Sequence, residues 1–166
     1  LWSRSGPLSI SVNHSGGFVR SSSNRKRPNI QLYFQPTSYI NAPTGTRPMV
    51  RLDNFPAFNI GISQCRPTSR GRIRIGSANP LESPQITPNY LSTDDDVAEM
   101  LEGVRLIREI SQTPQMRAIT VEEILPGDGV VCDDDLLEDI RNRCGTLFHP
   151  AGTCAMGNNS ATAVVD

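Results

Sequence analysis

The 166-residue chain is expected to fold as an α+β unit, a largely antiparallel sheet with helices packed on one face. Three observations point there. Apolar and polar residues alternate in several short stretches of the first two thirds. Helical spacing takes over in the final third. Strand signals precede helix signals instead of interleaving with them, which disfavours βαβ crossovers and a parallel sheet. An antiparallel sheet of this kind can leave its other face free to cover a ligand.

The elements follow in order. Gly17-Phe18-Val19-Arg20 is a short strand after the Ser15-Gly16-Gly17 turn. Ile30, Leu32 and Phe34 alternate with Gln31, Tyr33 and Gln35, the period of a half-buried strand. Residues 41–56 are rich in Pro, Gly and Thr and predict a long loop. Phe58, Ile60 and Ile62 alternate with Asn59, Gly61 and Ser63. Residues 67–71 turn the chain, and Ile73 and Ile75 then alternate with Arg72 and Arg74. Residues 76–88, restricted by Pro80, Pro84 and Pro88, are expected to be loop.

Thr93 and Asp96 fit a capping box, and Asp94 and Asp95 suit the positive end of a helix dipole. Val97, Leu101, Val104 and Ile107 or Arg108 predict a helix over residues 94–111, closed by Gln112-Thr113-Pro114. Asp133-Asp134-Asp135 opens a second helix with Leu136, Leu137 and Ile140 inward, Arg141 and Arg143 in its last turn, and Gly145 as its stop. Cys144 is expected on the buried side of that helix. Residues 163–166 have the composition of a strand.

Composition removes several classes of function. A formal net charge of -1 argues against an electrostatic nucleic-acid binder. The short run Arg25-Lys26-Arg27, beside Ser21-Ser22-Ser23, is expected to be a solvated loop. No stretch approaches the ~18 apolar residues of a transmembrane helix. Four cysteines without a C-x-x-C pair suggest reduced thiols in a cytoplasmic protein. The chain is expected to be part of a longer one.

One segment stands out for chemistry: Leu147-Phe148-His149-Pro150-Ala151-Gly152-Thr153-Cys154-Ala155-Met156-Gly157. It holds one of two histidines, and an imidazole titrates near neutrality, as a catalytic proton acceptor should. Pro150 biases His149 toward an extended backbone, and Gly152 and Gly157 allow close approach or positive φ. Chemistry alone favours an ordinary turn histidine over a catalytic one.

Other constellations are weaker. Cys144, His149 and Cys154 have part of a zinc-knuckle spacing, but its first cysteine pair is missing, so no metal site is expected. Cys154 as a nucleophile lacks an orienting carboxylate and the spacing of a nucleophile elbow. The two Asp triplets are explained by helix starts. No G-x-G-x-x-G or phosphate loop is present.

Taken in order, the segments resemble the C-terminal part of the glucose-methanol-choline (GMC) flavoprotein oxidoreductases, in their choline-dehydrogenase-like branch. The residues that carry the resemblance span nearly the whole chain. They are Ser5-Gly6-Pro7-Leu8 through Gly16-Gly17-Phe18-Val19-Arg20, and Pro28-Asn29-Ile30-Gln31, with Asn29 where the family commonly has Asp. Pro67-Thr68-Ser69-Arg70-Gly71, Ser77-Ala78-Asn79-Pro80 and Pro84-Gln85-Ile86-Thr87-Pro88-Asn89-Tyr90-Leu91 follow, and His149-Pro150-Ala151-Gly152-Thr153 through Met156-Gly157 completes the set.

The resemblance implies an FAD-dependent enzyme that oxidises an alcohol to a carbonyl, with His149 beside the flavin accepting the alcohol proton. It implies a substrate-binding domain over residues 1–146 and an active-site segment over 147–166 leading back into an FAD-binding domain beyond this chain. A small-molecule alcohol and that FAD-binding domain are the implied partners. Asn13, His14 and Phe34 are candidate substrate contacts, with Tyr33 as the alternative to Phe34 because the two point to opposite faces of one strand. Pro150 and Asp166 are candidate cofactor contacts. A flavin-containing lyase of the same family, and a non-enzymatic binding module with a zinc-held turn, are the other readings.

Overall fold

A computed structural model describes Ser9 and residues 11–39, 52–149 and 152–166. Strands β1 (Ser15–Val19), β2 (Ile30–Gln35) and β3 (Asn59–Gln64) form an antiparallel sheet in the order β1-β2-β3. Leu32 lies opposite Gly17 on one side and Ile62 on the other, so Val19, Ile30, Leu32, Phe34, Ile60, Ile62 and Gln64 share a face. The alternation in the sequence predicts this face, and helix α1 (Asp94–Ser111) covers it.

Gly103 is what lets the helix come so close. A Cβ there would stand 2.8 Å from Ile62 Cδ1 and 3.6 Å from that of Ile30. Ile30 is fully buried beneath it. On its far side α1 packs against α3 (Asp133–Arg143), where Leu101, Leu136 and Ile140 form a second small core. Val97, Val104 and Leu137 pack around that core at the helical spacing expected of them.

Several local expectations are corrected. Residues 76–88 are not all loop: β5 (Gln85–Thr87) pairs antiparallel with β4 (Arg72–Arg74). Three residues between two prolines are too few to show a period, so the strand is silent in the sequence. Ile75 lies outside β4 and is exposed. A further short helix, α2 (Pro114–Arg117), begins on the proline expected only to end α1, because proline suits the first helical turn. Helix α3 stops at Cys144, an extended cap residue whose N–H donates to Ile140 O at 2.7 Å, rather than through a left-handed Gly145. Cys144 is therefore exposed, not buried. Residues 163–166 form no strand; Val165 makes a single parallel bridge with Met156.

Arg25 is not solvated. Its guanidinium donates to Glu102 (Nε to Oε2 3.0 Å) and Asp95 (3.0 Å), and Glu99 lies 3.4 Å away. The Ser21 hydroxyl donates to the same Glu102 oxygen at 2.5 Å. The basic turn between β1 and β2 is thus fastened to α1. Burial pushes the Glu102 carboxyl up, and the Arg25 and Ser21 hydrogen bonds outweigh it to leave the group lowered.

Candidate functional site

His149 follows α3 after a five-residue exposed stretch, and its side chain is itself exposed. The backbone around it is constrained. Phe148 has φ 60° with its N–H donated to Thr146 Oγ1 at 3.0 Å, Gly152 has φ 90° and Cys154 has φ 54°. Left-handed backbone is costly for a phenylalanine and a cysteine and gathers where geometry matters. Left-handed residues thus lie on both sides of His149 in the chain, at Phe148 before it and at Gly152 and Cys154 after it. Gly152 takes the positive φ its type allows, and Gly157 does not.

Beyond the corner, residues 152–166 fold on themselves. Gly157 N–H donates to Val165 O and Val164 N–H to Ala155 O, both at 2.9 Å. Among the described residues the hydrogen bonds of this segment stay inside it. Large apolar side chains on either side of the corner are bare: Phe148 is 83% exposed, Met156 76% and Val164 68%. Asp166 is exposed beside Val165. Pro150, the other candidate cofactor contact, lies outside the described residues.

The candidate substrate contacts gather at one end of the β1–β2 pair. Asn13 Oδ1 accepts from Gln35 Nε2 at 2.8 Å, and His14 N–H donates to Phe34 O at 2.9 Å. Both side chains are exposed. Phe34 lies on the helix side of the sheet, its ring 5.3 Å from that of Phe58. Tyr33 lies on the opposite face, with Gly16 and Gly61 as its cross-strand neighbours. Neither neighbour has a side chain, so the Tyr33 ring is flanked by bare backbone; its hydroxyl is 3.4 Å from Ser63 Oγ. Gln31, Gln35, Asn59, Ser63 and the exposed Phe18 share this face, on the side of the sheet away from α1. Among the described residues no hydrogen bond or ring contact joins the group to His149.

One residue that the sequence placed only at a helix start has a larger part. Asp96 is fully buried, and its carboxylate accepts from Thr68 N–H (2.7 Å), Thr68 Oγ1 (2.8 Å) and Ser69 N–H (2.9 Å). Thr93 Oγ1 caps Asp96 N–H at 3.4 Å, but Asp96 does not reach back to Thr93, so only half of the expected capping box forms. Burial drives the Asp96 carboxyl up, and the Ser69 and Thr68 hydrogen bonds overcome it to bring the group down to about 2. No G-x-G pattern or His cluster advertises such a clamp.

Two concavities among the described residues lie away from these groups. One of about 280 Å³ is lined by Arg25, Lys26, Arg27, Asn29, Arg66 and Glu99. Another, of about 510 Å³, is lined by Arg105, Arg108, Glu109 and Gln112. Among the described residues no group of three His, Cys, Asp or Glu side chains could hold a metal, and no helix is long and apolar enough to cross a membrane.

An antiparallel sheet backed by helices is the fold expected from the resemblance, and comparison with known proteins agrees. Residues 67–166 match the family described as GMC oxidoreductase, and the chain belongs to that family. It is 42% identical over 164 residues to the alcohol dehydrogenase (acceptor) of Pseudomonas putida, covering 99% of this chain and 29% of that protein. It is 36% identical to the mitochondrial choline dehydrogenase of Mus musculus, covering 100% of this chain and 27% of that one. The oxygen-dependent choline dehydrogenase of Proteus mirabilis is 40% identical over 152 residues, 92% of this chain and 26% of its own length. The chain therefore spans between a quarter and a third of these relatives. Pyridoxine 4-oxidase from Mesorbium loti superimposes with a TM-score of 0.74 at 24% identity, over 91% of this chain and 29% of that one. That likeness shows the fold.

Proposed function

We propose that this chain is the substrate-side part of a flavoprotein that oxidises an alcohol to a carbonyl, with His149 as the group that takes the alcohol proton. One observation carries the reading: the only histidine inside the family-matched residues 67–166 is exposed on a corner flanked by left-handed backbone. Two of the dehydrogenases named above act, by their names, on an alcohol and on choline. Residues 1–146 form the substrate-binding part and 147–166 return toward the flavin-binding part.

FAD, when bound, takes up the hydride that the alcohol carbon gives. The described residues suit one wall of its site. Phe148, Met156 and Val164 present exposed apolar side chains, and His149, also exposed, directly follows Phe148. They do not suit the diphosphate, since the sequence carries no G-x-G-x-x-G turn. Pro150 and Asp166 remain the candidate contacts within this chain. His149 holds the alcohol by its hydroxyl, removes that proton as the carbonyl forms, and passes it to solvent. Tyr33, on the uncovered face, takes the substrate role in place of Phe34, whose ring is engaged with Phe58.

The test uses the full polypeptide. Mixed anaerobically with a panel of primary alcohols, the wild type should bleach its flavin, and His149→Ala should do so about 10²–10⁴-fold more slowly. Equal rates in the two proteins would remove His149 from the reaction. A flavin that no alcohol bleaches would favour the lyase reading.

A further inference from the structure

Gly61 lies in the middle of β3, directly opposite Tyr33 on the side of the sheet away from α1. A glycine there weakens a strand, because it brings backbone freedom and no side chain to pack. Three local needs can keep one in such a place, and none applies. Gly61 is not in a bulge: β3 pairs with β2 residue for residue from Asn59 to Gln64. It is not left-handed: among the described glycines Gly127 and Gly152 have positive φ, and Gly61 does not. It is not pressed against a neighbour. A Cβ at Gly61 would stand 3.8 Å from Tyr33 Cβ and 3.9 Å from Tyr33 Cδ2, which is ordinary van der Waals contact. Gly16 and Gly103 differ, since a Cβ would collide with Leu32 O at the first and with Ile62 Cδ1 at the second. Gly17 is unobstructed too, but it lies on the α1 side of the sheet with nothing within 4 Å, so it borders no ring.

The absent side chain leaves room beside the Tyr33 ring. The Tyr33 hydroxyl is 3.4 Å from Ser63 Oγ, so the ring leans toward β3 and borders that room. Asn59 and Ser63 flank it along β3, and Gln31 and Gln35 stand diagonally across on β2, all polar and uncharged. A flat ring as one wall and strand backbone as the floor suit an apolar carbon body, and the surrounding amides and hydroxyl suit an uncharged polar group. A mid-strand glycine that the fold does not require marks a place where something approaches the backbone closely. We propose that Gly61 sets the size limit for the substrate: the carbon body of an uncharged primary alcohol lies over the Gly61 backbone against the Tyr33 ring, and the missing side chain admits the larger members of that class. This rests on the proposed function, with Tyr33 on the substrate face.

Steady-state kinetics of the full polypeptide with an electron-accepting dye, over a series from ethanol to octanol and benzyl alcohol, test it. Gly61→Val should raise KM for octanol and benzyl alcohol at least about tenfold more than KM for ethanol, with kcat changing less than KM. Gly61→Ala should shift the same ratio by a smaller factor, and it carries the test should Gly61→Val fail to fold. The unfolding midpoint of the alanine variant should not fall, because alanine suits a strand better than glycine does. Gly17→Ala, on the α1 side, should leave the ratio as in the wild type. The proposal is overturned if KM shifts by one factor for every alcohol or for none. It is overturned equally if the Gly61 variants lower the midpoint sharply and leave the ratio unmoved, which would mean that another stretch of backbone packs there. A wild type whose flavin no alcohol reduces would overturn this inference together with the proposed function. A wild type that alcohols do reduce, with a ratio indifferent to Gly61, would overturn this inference alone.

Discussion

Ser69 donates its backbone N–H to Asp96 Oδ2 at 2.9 Å, while Thr68 N–H meets the other carboxylate oxygen at 2.7 Å. The turn that launches the β4–β5 hairpin is therefore bound, through one carboxylate, to the first turn of the helix that covers the main sheet. Thr68 Oγ1 adds a third bond to Asp96 and stands 2.6 Å from the capping hydroxyl of Thr93. The helix cap and the hairpin base are one hydrogen-bonded unit, and Asp96 is its common member.

Removing that carboxylate should be expensive. Asp96→Ala leaves two backbone N–H groups of the turn without their charged acceptor, at a cost of about 3 kcal/mol. Denaturant unfolding of the full polypeptide should show a clearly lowered midpoint. A midpoint within error of the wild type would mean that water replaces the carboxylate without loss.

The same group predicts an acid response. Its folded value of about 2 lies below the ordinary aspartate value of 3.8. A depressed carboxyl contributes stability that is present above the unfolded value and lost as pH falls through the folded one. The gap corresponds to about 2 kcal/mol. The stability difference between the wild type and Asp96→Asn should thus hold steady above pH 5 and shrink by about that amount toward pH 2. A difference that does not change over that range would contradict the assignment.

How this clamp escaped the sequence is instructive. Thr93 and the Asp triplet mark a helix start, and the helix over Asp94–Ser111 forms where the apolar spacing places it. Nothing local says that the third aspartate faces inward to a turn more than twenty residues earlier, since that depends on how the helix lies on the sheet. The sheet face is legible for the opposite reason: Ile30, Leu32, Ile60 and Ile62 repeat with period two, and one register puts them all on the side that α1 covers. The short β5 and the engagement of Arg25 with Glu102 are invisible because each is created by its partner. At the candidate site His149 was legible as a residue type among prolines and glycines. The left-handed backbone at Phe148 and Cys154 was not, because neither residue type favours it.

Gly71 should tolerate no side chain. A Cβ at this position would stand 2.4 Å from Thr87 O and 2.6 Å from Pro88 O, both rigid backbone atoms. Gly71→Ala must push the two legs of the hairpin apart just above the Asp96 clamp. We expect a loss of about 1–3 kcal/mol, with faster amide exchange confined to residues 70–90. Gly129→Ala, where nothing lies within 4 Å of the added carbon, is the control and should change stability far less.

The Arg25 hub should show coupling. Arg25 donates to both oxygens of Glu102, through Nε at 3.0 Å and a terminal nitrogen at 3.1 Å, in a partly buried setting. A two-bonded pair of this kind exceeds an isolated surface pair in strength. A double-mutant cycle of Arg25→Ala and Glu102→Gln should return a coupling of about 1 kcal/mol or more. Strict additivity would make the hub a surface contact without energetic weight. Arg25→Lys should recover only part of the coupling, because a single ammonium cannot span both oxygens.

Tyr33 and Phe34 offer the sharpest separation of the proposed substrate face from the core face. They are adjacent on β2, yet Tyr33 stands between Gly16 and Gly61 on the uncovered side, and Phe34 stacks near Phe58 on the side of α1. Substitution at Phe34 should therefore act through packing: Phe34→Leu lowers the unfolding midpoint and leaves KM for the alcohol within about twofold. Substitution at Tyr33 should act through binding. Tyr33→Phe removes only a hydroxyl held 3.4 Å from Ser63 Oγ, so stability should barely move. If that hydroxyl meets the substrate, its loss should raise KM by roughly tenfold, the value of one hydrogen bond of about 1.4 kcal/mol. Tyr33→Ala, which opens the gap between the two glycines, should widen the range of alcohols accepted. A reversed pattern, with KM sensitive to Phe34 and indifferent to Tyr33, would place the substrate on the helix side of the sheet and overturn the assignment of faces.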